Sequence, residues 1–254
     1  MPDTSENEIQ LDAATNDIQR DDLVYSVNEP DNYAVEEAIQ IVERIGGKLT
    51  VVTVGGEDDE EVLRREMAMG ANGGVLISDE AFNGSDGKGI ATVLKAFVQK
   101  GHYDLILTGV QAEDGGAQVG GMLAALLDYP FASLVTSIEV LDGGKLKISR
   151  EIEGGTKELN EIDLPCVLSI QTGINEPRYV GMRGIRQVAS VDIPVLGASE
   201  LGVEAGAVGE TAAKVKRTDY FVPASGKGAE MLQGSREEII EKLLELIKAK
   251  GGLK

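Results

Sequence analysis

Along the first half of the chain, apolar positions come in two alternating textures, short continuous runs and helical stripes. Leu23–Val27 is a short apolar run that predicts a strand. The turn Asn28-Glu-Pro-Asp-Asn32 follows, where Asp31 or Asn32 can cap a helix. Ala34, Ala38, Ile41, Val42 and Ile45 then recur at helical spacing, with Glu36 and Glu37 in the first turn, and Gly46-Gly47 stops the helix. Leu49–Val54 predicts a second strand, and Gly55-Gly56-Glu-Asp-Asp59 leads into a helix carrying Val62, Met67 and Ala68 that ends near Gly70. Val75–Ile77 predicts a strand. Gly89–Lys100 predicts a helix with Ile90, Val93, Leu94 and Phe97 on one face. Asp104–Thr108 predicts a strand that opens into a glycine-rich turn and a helix ending before Pro130. Strand and helix thus alternate four times, the signature of an α/β protein with a doubly wound parallel sheet. Met1–Asp22 is polar and acidic without a clear period, and reads as a loop or an exposed hairpin.

After Pro130 the texture changes. Phe131–Val140 and Lys145–Glu151 alternate like antiparallel strands joined by Asp142-Gly-Gly144, Glu153-Gly-Gly-Thr156 is a second turn, and Val167–Gln171 is a last apolar strand. Thr172–Val188 carries Arg178, Arg183 and Arg186 in an otherwise acidic protein, beside Tyr179 and Met182. Ser190–Ala224 has no strong period and reads as an arm extended over a surface. Ser235-Arg-Glu-Glu238 is a capping box, Ile239, Ile240, Leu243, Leu244 and Ile247 form an apolar stripe, and Glu238 and Lys242 are spaced for an i,i+4 pair. The pattern divides the chain into an α/β domain over 1–190 and an arm with an amphipathic helix over 191–254.

The chemistry concentrates in Asp104–Pro130. A strand, a glycine-rich turn and a helix start make an anion site, because main-chain N–H groups and the helix dipole both favour negative charge there. No GK[ST] and no GxGxxG spacing is present, so a phosphate would be held mainly by main-chain donors, with Gln111 and Gln118 as amide partners. A plain strand–helix connection is the competing reading of that stretch. Ligands of doubly wound sheets bind outside the carboxyl ends of the strands, and the turns after Val27, Val54 and Thr108 fall on that edge.

Composition narrows the partners. The 254 residues carry 43 acidic against 24 basic side chains, a net charge of -19, which argues against nucleic acid. The single Cys166 allows no intrachain disulfide and no Cys-based metal cluster, and the single His102 no multi-His site. No apolar run is long enough for a membrane span and no signal peptide is evident, so the expected location is cytoplasmic. No Ser-His-Asp constellation is offered either, so an independent hydrolase is disfavoured.

Three segments together resemble the electron transfer flavoprotein beta subunit family: Val27–Ala38 (VNEPDNYAVEEA), Gly109–Pro130 (GVQAEDGGAQVGGMLAALLDYP), and Ile148–Leu168 (ISREIEGGTKELNEIDLPCVL) with Asn175-Glu-Pro-Arg-Tyr179. Leu63–Asn72 (LRREMAMGAN) is similar too. The resemblance implies a Rossmann-like, adenine-nucleotide-hydrolase-like fold with an antiparallel extension. It further implies a subunit that pairs with an alpha subunit holding most of a redox-active FAD and itself binds a structural AMP, or a second FAD in the electron-bifurcating branch. Electrons would come from acyl-CoA or other flavin dehydrogenases. Carried over position by position, the nucleotide pocket would use Asn28, Glu29, Pro30, Asp31, Val54, Gly109, Gln111, Asp114, Gly115, Gly116, Ala117, Gln118 and Val119. Asp114 would repel a phosphate and is assigned to ribose hydroxyls or to capping. A partner-recognition loop would lie at about Thr172–Val191, with Met182 plugging an apolar pocket on the partner and Tyr179, Arg183 and Arg186 beside it. Read without the family, Tyr179 and Met182 would rather cover a local core.

The chain departs from the family pattern at three points. Members open with a strand in the middle of the sheet, whereas here Met1-Pro-Asp-Thr4 begins after it. A missing central strand would leave two open edges, and a start assigned too late is favoured over a shortened chain or a sheet repaired by another segment. The Asp114–Gln118 turn is one residue short and lacks a polar Thr or Asn, and Asn160 stands where an aliphatic residue is expected. A reading of another class, a non-redox adenine-nucleotide-binding module on the same fold, is kept beside the electron-carrier reading.

Overall fold

Polar, sparsely apolar sequence near the N-terminus can hold only a small element. In the computed structural model, which describes residues 2–3, 6–12, 14, 17–20, 23–112, 116–218, 220–221, 228–229 and 231–252, strands β1 (Leu11–Asp12) and β2 (Asp17–Ile18) form a short antiparallel hairpin. That hairpin joins neither of the larger sheets. Leu23–Val27, expected as a strand, is not one. A strand exists through its ladder, and Tyr25 makes only an isolated bridge to Pro2.

From there the alternation holds. Helix α1 (Glu29–Ile45) has Pro30 in its first turn and ends at Gly46, and β3 (Thr50–Val54), α2 (Glu60–Met69), β4 (Gly73–Ile77), α3 (Gly87–Val98), β5 (Leu105–Gly109) and α4 (Val119–Leu127) follow. The N-cap of α1 is Asn28 rather than Asp31 or Asn32, because the helix begins at Glu29 and holds both of those inside its first turn, and Asn28 makes no side-chain cap hydrogen bond. Strands β6 (Phe131–Leu141), β7 (Lys145–Ile152) and β8 (Thr156–Asp163) form the expected antiparallel extension, with Gly143, Gly144, Gly154 and Gly155 at positive φ in its turns. Strand β9 (Cys166–Ile170) returns to the parallel layer.

The parallel layer is split. One sheet runs β10–β4–β3, where β10 is Val195–Leu196, and the other runs β5–β9–β6–β7–β8. Strands β3 and β5 each end a sheet. Burial shows the consequence: β9, paired on both sides, is buried throughout, whereas every residue of β5 is half-buried. The open edges border one apolar cluster, in which Val52 and Val54 of β3 and Ile106 of β5 pack against Ile77, Val93 and Phe97. The expectation of two open edges is met, and among the described residues no other segment fills them.

The arm is not extended at its start. Ile193, Leu201 and Val208 are buried in this chain's own core, α6 (Ala198–Leu201) and α7 (Gly209–Ala212) lie along the arm, after α5 (Met182–Val188) in the segment before it, and Asp79 and Asp86 accept main-chain N–H groups from Ala198 and Lys214. The final helix α8 (Arg236–Ala249) begins at the predicted Ser235 capping box and buries none of its residues. Its Lys242 donates to the Gln233 carbonyl rather than pairing with Glu238, whose carboxylate closes the capping box.

Candidate functional site

The predicted nucleotide edge is built from helix starts. Gln118, before α4, packs against Gly87 at the start of α3, so the helices that follow β4 and β5 begin on one side of the layer. On that side the first turn of α1 meets the turn after β5. Asp31 Oδ1 accepts the Gly109 N–H at 2.6 Å, and the Asn28 amide donates to Asp31 Oδ2 at 2.6 Å and to the Gln111 carbonyl at 2.9 Å. Gly109 has to be glycine, since a Cβ there would lie 2.7 Å from the Asp31 nitrogen. Four predicted residues, Asn28, Asp31, Gly109 and Gln111, are thereby brought together, with Glu29 exposed and Pro30 half-buried beside them.

Helix α4 supplies the donors. Its first intrahelical bond is Met122 N to Gln118 O, so the N–H groups of Val119, Gly120 and Gly121 precede the helical ladder. No acidic residue occupies its first turn. Gly116, Ala117 and Gln118 are exposed, and Ala117 takes a positive φ of 55. Asp114 and Gly115 lie outside the described residues. Gly120 has a packing role: a Cβ there would strike Ser169 Oγ and sit 2.8 Å from Thr108 Oγ1, so this glycine lets α4 rest on the sheet. Val54 ends β3, and its N–H lies on the side facing away from β4, since Gly55 N is the group that donates to Ile77 O.

The second predicted surface is held between α1 and α2. Asn175 donates to the Tyr33 carbonyl and to Glu37 Oε2, both at 3.1 Å. Arg178 places Nε 2.8 Å from Glu36 Oε2 and Nη1 2.8 Å from Glu43 Oε1. Burial alone would raise the Glu36 carboxyl, but the Arg178 and Gln40 hydrogen bonds outweigh it and hold it below the ordinary range. Glu37 is pushed up by burial, against the Asn175 bond and the Arg44 charge. At the far end of the segment, Arg64 of α2 donates to the carbonyls of Val188 at 2.7 Å and Val191 at 2.9 Å, with Glu60 held at 2.6 Å on its other side. Between these anchors Tyr179 is 94% and Met182 67% exposed, and Ile185, Arg183 and Arg186 are exposed with them. Neither Tyr179 nor Met182 covers a local core.

Several contributors were not visible in the sequence. Glu36 and Glu37 look like acids favoured by a dipole, and are instead buried anchors for residues far along the chain. Arg64 and Asn175 gave no signal beyond lying in family-like motifs, whereas Arg178 could be suspected as a cation in an acidic chain. Cys166 is buried, which pushes its thiol up to about 12, and His102 lies exposed after α3. Among the described residues, no group of His, Cys, Asp or Glu could hold a metal, and no helix is long and apolar enough to cross a membrane.

Comparison with known proteins follows the same lines. The electron transfer flavoprotein domain family matches residues 15–201. The chain is 33% identical over 252 residues to electron transfer flavoprotein subunit beta of Thermoanaerobacterium thermosaccharolyticum, covering 98% of this chain and 95% of that one. It is 34% identical over 251 residues to the subunit of the same name from Bacillus subtilis, covering 98% and 96%. Over 254 residues it is 34% identical to the caffeyl-CoA reductase-Etf complex subunit CarD of Acetobacterium woodii, covering 98% and 95%.

Proposed function

The chain belongs to the electron transfer flavoprotein beta subunit family, and on that premise we propose that it is the beta subunit of a cytoplasmic heterodimeric electron carrier. An alpha subunit holds most of the FAD, and this subunit binds AMP at the edge formed by α1, the turn after β5 and α4. Bound FAD would supply the redox chemistry, taking electrons from a dehydrogenase and passing them on one at a time. The observation that carries the reading is the joining of Asn28, Asp31, Gly109 and Gln111 beside a helix start whose N–H groups have no intrahelical acceptors.

The residues fit a nucleoside monophosphate. Val119, Gly120 and Gly121 offer main-chain donors to the phosphate with no carboxylate in that turn, and Gln111 and Gln118 offer amide donors at the surface. The Val54 N–H, outside its ladder, suits the edge of an adenine ring. Asp31 is committed to Gly109 and Asn28, so its charge is partly compensated before any ligand arrives. Tyr179, Met182, Arg183 and Arg186 form the docking tip for a flavin dehydrogenase, an acyl-CoA dehydrogenase among the candidates.

Similarity to CarD favours a second reading, in which the pocket holds a second FAD and NADH is the electron donor of a bifurcating complex. Co-expression with the neighbouring alpha-subunit gene, followed by extraction and counting of cofactors, separates the two. One flavin and one AMP per heterodimer is the expected result, and two flavins would replace it with the bifurcating reading. A flavin-free homodimer would instead favour the non-redox nucleotide-binding module, and absence of both partner and nucleotide would sink the proposal.

A further inference from the structure

We infer that Arg64 is a positioning residue for partner docking, fixing the helix that carries the exposed tip; the inference rests on the reading of residues 172–191 as the docking segment. That segment makes little core of its own. It is mounted at both ends on side chains from distant parts of the sequence, and between them Tyr179, Met182 and Ile185 are exposed. At its start, Asn175 and Arg178 fasten it to α1 through Tyr33, Glu36, Glu37 and Glu43. At its end, one guanidinium nitrogen of Arg64 gathers the carbonyls of Val188 and Val191, which close α5 and the turn after it.

The geometry suits arginine. Nε and Nη2 both face Glu60 Oε1, at 2.9 Å and 2.6 Å, which leaves Nη1 aimed at the two carbonyls. The fork is thus oriented on one side by a carboxylate of its own helix and spends the other on the segment. The Val188 carbonyl belongs to the last turn of α5, where a cation also meets the negative end of the dipole. The close approach of α5 to α2 depends on Gly184, where a Cβ would lie 3.0 Å from the Ala68 carbonyl. Val188 packs on the cluster of Val51, Leu63, Met67, Leu76 and Ile193. With that inner face seated, Met182 and Ile185 are turned outward.

A seven-residue helix has little stability by itself, because helix nucleation is costly. Its orientation therefore depends on these anchors. If loss of Arg64 leaves the docking arrangement populated about a tenth of the time, apparent partner affinity falls about tenfold, since affinity scales with the competent fraction.

The test uses the purified heterodimer with its alpha subunit. A nitroxide on Gln187→Cys reports the motion of α5, and the buried Cys166 does not compete for the label. Electron uptake from an acyl-CoA dehydrogenase with its acyl-CoA reports docking. Arg64→Ala is expected to mobilise the label and raise KM for the flavoprotein about tenfold, with kcat changed less than about twofold. Arg64→Lys, which keeps the charge but loses the fork, should recover part of both effects. Met182→Glu should raise KM without mobilising the label. Wild-type mobility and KM in Arg64→Ala would overturn the role of Arg64. Unchanged KM in Met182→Glu would overturn the docking reading itself, and the label would still report whether Arg64 orders the helix. Should Arg64→Ala fail to fold, Arg64→Lys alone decides: label mobility and KM both at wild-type values refute the assignment.

Discussion

Glu66 is the least comfortable side chain in the described structure. It is 4% exposed on α2, its Oε2 has no hydrogen-bond partner, and burial raises its carboxyl to about 7, with Arg65 opposing and Asp31 adding to the rise. An acid whose folded pKa is raised keeps its proton in the native state while the unfolded chain has already lost it. Stability from this group therefore falls as pH climbs from about 4.5 to about 7, by roughly 3 kcal/mol at most, and stays reduced above. Glu36 works with the opposite sign: its folded pKa is lowered, so its contribution is present above the ordinary carboxyl range and is lost in acid. Glu66→Gln isolates the first effect. The variant should melt several degrees higher than wild type at pH 8 and within about 2 °C of it at pH 4.5. Equal melting temperatures of variant and wild type at pH 8 would show that burial does not raise the Glu66 carboxyl. The sequence hid all of this. Glu36, Glu37 and Glu66 lie among polar neighbours on amphipathic helices, and only Asn175 and Arg178, brought back by tertiary folding, reveal why two of them are buried.

At the scale of elements, the pattern was most legible where local chemistry decides the outcome. The Asp142-Gly-Gly144 hairpin, the Gly46 and Gly70 helix ends and the Ser235 capping box can be read from a few adjacent residues, and each is present. Leu23–Val27 was misread because an apolar run becomes a strand only if a neighbour accepts its ladder. The same dependence predicts uneven protection in the flanking strands. In β5, Val110 N donates to Ile170 O and Cys166 N to Asp104 O, so alternation aims the Ile106 and Thr108 amides at β9 and the Leu107 amide at the open edge. Gly109, also outward, is satisfied by Asp31. The Leu107 amide should therefore exchange with solvent at least about tenfold faster than those of Ile106 and Thr108, and Val52 faster than Val51 and Thr53 in β3. Residue-resolved hydrogen exchange checks this. Equal protection of Leu107 and Thr108 would mean that another strand pairs with β5 in solution.

For the whole molecule, the decisive contrast is between the two parts of the arm. Residues 193–213 bury Ile193, Leu201 and Val208 in this chain, and β10 completes a sheet, so that stretch belongs to the α/β body. Helix α8 behaves differently. It is well capped, yet Ile240, Leu243, Leu244 and Leu246 each keep two-fifths or more of their surface exposed. Burying such side chains is worth about 1.5–3 kcal/mol each, so the stripe makes sense as a surface completed by a second chain. Its acidic residues and the net charge of -19 would keep the free subunit soluble while that stripe is bare. Removal of residues 231–254 should accordingly change the melting temperature of the isolated chain by less than about 2 °C, because α8 buries none of its residues against the body. The same deletion should abolish recovery of the alpha subunit and its flavin on co-purification. A truncated chain that still captures alpha subunit at full stoichiometry would place the subunit interface on the α/β body alone. A large drop in melting temperature would instead show that α8 folds back onto its own chain, and the exposed stripe would need another explanation.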